Sequence, residues 1–108
     1  MAIVKWKKST YHLFNEYVEN ARLEYGEKTA RKWVSNAAEV YNHLQKYPES
    51  YTPEPLLKNR IRKYRSCRLM GNRFRIVYYY NPSTDIVRIV DIWDTRMNPE
   101  ALAKRVNP

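Results

Sequence analysis

RSCRLMGNRFRIVYYYNPSTDIVRIVDIWDTR, residues 65–96, decides the fold. It holds apolar and β-branched runs broken by two short groups of turn residues, Met70 to Asn72 and Asn81 to Asp85. Both groups have the length and composition of hairpin connections, so the segment predicts three consecutive antiparallel strands over about 61–69, 73–80 and 86–93. If Tyr80 faces Ile86 across the second turn, partner numbers sum to 166 and the two sheet faces can be written down. One face carries Phe74, Ile76, Tyr78, Tyr80, Val90 and Ile92, suited to receive helices. The other carries Arg73, Arg75, Val77, Tyr79, Val87, Ile89, Asp91 and Trp93, and the same register sets Arg75 against Asp91, so that Arg75 is either an ion-pair partner across the strands or a cation available to a partner.

Working outward, AIVKWK at residues 2–7 alternates as a short strand does. Ser9 is a suitable N-cap for a helix whose stripe is Tyr11, Phe14, Val18, Ala21 and Tyr25, at steps of three and four. Gly26 closes that helix. A second stripe, Ala30, Trp33, Val34, Ala37, Val40, Tyr41 and Leu44, runs to about Lys46. So short a link between amphipathic helices predicts an antiparallel hairpin laid on the sheet. Prolines at 48, 53 and 55 make YPESYTPEPLL an extended connection. The expectation is an α+β fold: an N-terminal strand and a two-helix hairpin packed on an antiparallel sheet of about four strands, with residues 1–108 forming a single domain.

The chain has twenty basic and eleven acidic side chains, for a net charge of +9. Between Pro55 and Thr84 eight are basic and none is acidic. Such a field draws polyanions or acidic proteins. The mixed strand face is too apolar for a merely wet surface, so Arg68, Arg73, Val77, Tyr79 and Trp93 are expected to form a binding surface, unless the C-terminal tail covers it. One cysteine, Cys67, and no apolar run beyond the five residues Ile76 to Tyr80 point to a reducing, cytoplasmic setting without a membrane span. His12 and His43 read as surface residues. No metal-ligand spacing and no glycine-rich phosphate loop is present, so neither a metal nor a cofactor is expected.

Taken together, the hairpin EYVENARLEYGEKTARKWV, the proline link, YRSCRLMGNRFRIVYYY and DIVRIVDIWDTRMNP resemble the RelE/ParE superfamily of toxins from bacterial type II toxin–antitoxin modules, the plasmid stabilisation type, over nearly the whole chain. The resemblance implies a small basic toxin that inhibits growth and is silenced by a cognate acidic antitoxin. It also matches Arg65, Arg75 and Arg96 to arginines that recur in the superfamily.

Two chemistries occur in that superfamily. RelE-like members cleave mRNA in the ribosome, which requires a base, an acid and cations for the phosphorane charge. Arg65, Arg75 and Arg96 would be the catalytic cations of such a metal-independent endoribonuclease. The tyrosine or histidine that RelE-like nucleases often carry after the last strand is missing from DTRMNPEALAKRVNP, leaving Tyr64, Tyr79 or Asp94 as substitutes. ParE-like members block DNA gyrase and need only a binding surface, here the basic strands and the tail from Asp94 to Pro108. The well-developed helical hairpin favours that branch. A third reading is a non-toxic domain of the same fold that binds nucleic acid or protein.

Overall fold

A computed structural model describes residues 1–106. In chain order the elements are β1 (Ile3–Trp6), α1 (Lys8–Tyr25), α2 (Glu27–Lys46), a 3-10 turn (Pro55–Leu57), β2 (Tyr64–Leu69), β3 (Phe74–Asn81), β4 (Ile86–Asp94) and α3 (Pro99–Arg105). The sheet order is β1-β4-β3-β2. β2, β3 and β4 are antiparallel as expected, but β1 runs parallel to β4, so the sheet is mixed rather than antiparallel. A parallel neighbour needs a long crossover, and everything between β1 and β4 supplies it.

The helical hairpin forms where the stripes place it. Phe14, Val18 and Ala21 of α1 and Ala30, Trp33, Ala37, Val40 and Leu44 of α2 are buried. Tyr11, Tyr25 and Val34, expected in the stripes, are exposed. The first helix starts at Lys8 without a side-chain cap, so Ser9 is not its N-cap. Thr10 is buried instead, and its hydroxyl donates to the Val90 carbonyl at 2.7 Å. Gly26 takes φ 99°, a conformation that a side chain would strain.

The register departs from the simple sum of 166 in two steps. The second turn is four residues long and closes through Asp85 at φ 56°, so Asn81, not Tyr80, faces Ile86. Between Val77 and Tyr78 the partner jumps from Asp91 to Ile89, which makes Val90 the extra residue of a β-bulge. The first step moves Val87 and Ile89 to the helix side, where both are buried, and the bulge sends Val90 to the opposite cluster. Beyond the bulge the alternation returns to the expected phase, with Ile92 under the helices and Trp93 on the other face. Arg75 consequently lies opposite Trp93, and the Arg75–Asp91 pair does not form.

The second face is covered by an element that the strand pattern did not reveal. α3 starts at Asn98, whose side chain accepts the Glu100 N–H at 3.0 Å, and Pro99 occupies its first turn. Leu102 and Val106 join Leu57, Tyr64, Val77 and Trp93 in a second apolar cluster. Expected tail residues 107–108 lie outside the described residues.

Candidate functional site

The three arginines proposed as catalytic do not converge. Arg65, on β2 opposite Tyr78, lies on the helix side. Its guanidinium donates to the Tyr51 carbonyl at 2.6 Å and lies 3.9 Å from Glu49, bracing the proline link. Arg75 sits on the other face, with Nε 3.0 Å from Oε1 of Glu54. That contact is one of charge without hydrogen-bond alignment. Glu54 is fully buried, and its other oxygen accepts the Leu56 N–H at 2.9 Å. Arg96 follows β4 and grips Asp94, with contacts of 3.1 and 3.3 Å. Arg65 is four strand positions from the Leu69–Phe74–Asp94 row, roughly 13 Å along the sheet.

The expected binding residues divide as well. Val77 and Trp93 are buried beneath α3, so the exposed apolar patch inferred from them is closed. Arg68 is exposed beside Arg75 on the neighbouring strand. Arg73 belongs to the turn rather than to β3, and shares with Arg96 a cleft of about 330 Å³ walled by Tyr17, Trp33 and Phe74. Tyr79 is half-buried, edge-on to Tyr64 at 5.7 Å and overlaid by Arg62 at 4.6 Å.

Tyr79 leads to residues that the sequence reading did not join. Across the sheet the register aligns Tyr64, Tyr79, Arg88 and Lys5, one from each strand. Lys7, Arg62 and Arg88 line a hollow of about 230 Å³ beside Tyr79. Only β1 pairing with β4 brings Lys5 here, and no local pattern announces that pairing. The histidines are elsewhere: His12 is exposed, and His43 is half-buried, with Nε2 2.6 Å from Ser50 Oγ and its ring 4.8 Å from that of Tyr51.

The comparisons with known proteins agree with this architecture. The family described as the ParE toxin of the type II toxin-antitoxin system, parDE, matches residues 4–99. The chain belongs to the ParE toxin family. A ParE-family fold is also found in the solved structure of the chromosomal ParDE toxin–antitoxin system from P. aeruginosa, with a TM-score of 0.68 at 17% identity, covering 87% of this chain and 96% of that one. The isolated E. coli RelE toxin is similar with a TM-score of 0.60 at 9% identity, covering 98% of this chain and all of that one, 100%. At such identities the likeness shows the RelE/ParE fold alone. No curated protein matches the sequence.

In this ParE-family chain, burial and neighbouring charges move several side chains away from their ordinary titration. The Arg96 hydrogen bonds hold the Asp94 carboxyl below the usual carboxylate range, which makes it a poor proton acceptor. Burial raises the Tyr78 phenol, whose hydroxyl donates to the Pro48 carbonyl at 3.0 Å, and pushes the Cys67 thiol up to about 12. Burial also raises Asp91, against the opposing pull of Arg105. Among the described residues no group of three or more His, Cys, Asp or Glu side chains is placed to hold a metal ion, and no helix is long and apolar enough to cross a membrane.

Proposed function

We propose that this chain is a cytoplasmic toxin of the gyrase-blocking kind, held inactive by a cognate acidic antitoxin and acting in plasmid stabilisation through growth inhibition. It works as a single toxin domain that binds its target and catalyses nothing. The observation that carries this reading is the dispersal of Arg65, Arg75 and Arg96 over two faces and two ends of the sheet, each engaged within the chain. Stabilising a phosphorane requires donors gathered around one position. A binding protein has no such requirement, and the +9 charge suits an acidic antitoxin.

Two assays test it together. Purified protein is expected to inhibit supercoiling by DNA gyrase, while primer extension on a defined message in reconstituted translation leaves the message intact. Discrete ribosome-dependent cuts would replace this reading with the endoribonuclease, for which Arg65→Ala, Arg75→Ala and Arg96→Ala should each cost orders of magnitude in cleavage. Unimpaired growth on induction of soluble, folded protein would leave the non-toxic binding domain.

A further inference from the structure

The cations of this chain divide by what they touch. Arg65, Arg75 and Arg96 are engaged with a carbonyl or carboxylates of the chain itself. Those of the row formed by Tyr64, Tyr79, Arg88 and Lys5, and of its flanks, are not. Lys5, Lys7, Lys63 and Arg88 have no ion-pair partner among the described residues. Arg62 is engaged only over the Tyr79 ring, at 4.6 Å. Lys5 and Arg88 are register partners on adjacent strands, so two like charges stand side by side, an arrangement that by itself costs stability.

Tyr79 gives these cations a common focus. Its half-buried side chain borders two shallow recesses, of about 230 and 240 Å³. Lys7 and Arg88 line the first, Lys63 lines the second, and Arg62 lines both. No carboxylate lines either one. From Lys5 to Tyr64 the row crosses all four strands, roughly 14 Å at the usual spacing between strands. It lies four residues along β3 from Arg75, so it is separate from the end of the sheet where Arg68, Arg75 and Arg96 stand.

A row of unpaired cations around an aromatic ring is the pattern by which proteins hold single-stranded nucleic acid: the cations follow the phosphates, and the ring offers a face on which a base can stack. Arg62 already lies over that ring, and a guanidinium plane extends the stacking surface. A duplex keeps its bases inside and meets only the cations. Carboxylates of an acidic peptide likewise match the charge alone. We infer that this face binds one strand of nucleic acid, the DNA held by the gyrase target, with phosphates at Lys5, Lys7, Lys63 and Arg88 and a base at Tyr79 and Arg62. The choice of DNA rests on the gyrase reading, since a toxin seated on an enzyme that opens DNA lies beside DNA strands.

The test measures fluorescence anisotropy of a labelled twelve-nucleotide thymidine DNA titrated with the full chain. Binding is expected, with a slope of about −3 in log affinity against log salt, since each of four phosphate contacts on a single strand contributes about −0.7. Lys5→Glu combined with Arg88→Glu should weaken it by about tenfold or more. Lys28→Glu combined with Lys32→Glu, the same change of net charge at exposed positions of α2, should weaken it far less. Circular dichroism checks that each variant is folded, and Arg62→Ala, which truncates an exposed side chain, should weaken binding several-fold. An abasic strand of equal length should bind about tenfold more weakly, because it has phosphates and no bases. Equal loss in the two charge-reversed variants, equal binding of the abasic strand or of polyglutamate, or tighter binding of a twelve-nucleotide uridine RNA would overturn the inference. Inhibition of gyrase supercoiling is scored separately: protein that inhibits gyrase yet ignores the DNA strand sinks this inference alone, whereas protein that binds the strand without inhibiting gyrase sinks the gyrase reading.

Discussion

The helix side and the α3 side of the sheet are built on different terms. On the helix side, aromatic and aliphatic residues of two long helices cover Leu69, Phe74, Ile76, Tyr78, Val87, Ile89 and Ile92. Lys8 to Lys46 contains six basic and five acidic residues, and Arg22 and Arg31 are satisfied locally by Glu19 and Glu27. On the α3 side the apolar cluster is small, and two buried carboxylates reach distant arginines, Glu54 to Arg75 and Asp91 to Arg105. Outside the helical hairpin the chain has fourteen basic and six acidic residues, so nearly all of the +9 lies there. One side is held by apolar area and is electrically quiet. The other is held by a few directional contacts between distant charges.

That contrast can be broken most directly in the aromatic core. Trp33→Ala, which removes the ring stacked on Tyr17 at 5.4 Å and edge-on to Phe74 at 4.7 Å, should cost about 3–5 kcal/mol in urea unfolding. Glu54→Gln leaves Arg75 facing a neutral amide, and since Arg75 is 30% exposed the loss should be only about 1–3 kcal/mol. A loss equal to that of Trp33→Ala would mean that the buried pair, not the aromatic core, carries the fold. Leu102→Ala should lower global stability by less than the roughly 2–5 kcal/mol that truncating a buried leucine usually costs, because α3 can undock instead. Hydrogen exchange should then quicken in α3 and around Trp93 while β3 and the helices stay protected.

The smallest effects separate two aspartates of one strand by sign. Asp94 is lowered by Arg96, so its contribution to stability is present above the ordinary carboxylate value of 3.8 and is lost as pH falls through its depressed folded value. Asp91 is raised by burial, so the folded chain binds the proton more tightly than the unfolded one, and stability declines as pH rises from 3.8 through its raised value. Asp94→Asn should remove a gain with pH and Asp91→Asn a loss, both readable in thermal melts from pH 3 to 7. The same sign for both would end the distinction between the two sides.

Local pattern reached as far as local forces do. The hairpin stripes, the proline link and the three antiparallel strands were legible because each rests on residues three or four apart, on two-residue alternation or on turn chemistry. The charge field was legible too. Val77 and Trp93 were read on the correct face, with cover by the tail named only as the alternative, since seven residues of α3 carry too short a pattern to show where they dock.

The sequence by itself determined the kinds and order of the elements from β1 to β4 and the sign of the surface. Tertiary structure alone decided that β1 runs beside β4, that the bulge at Val90 shifts the strand and that Arg75 and Asp91 go to Glu54 and Arg105 rather than to each other. Those outcomes depend on contacts between residues distant in the chain, and a one-residue change of register redirects side chains to the opposite face. The spacing of residues along a strand carries no record of either.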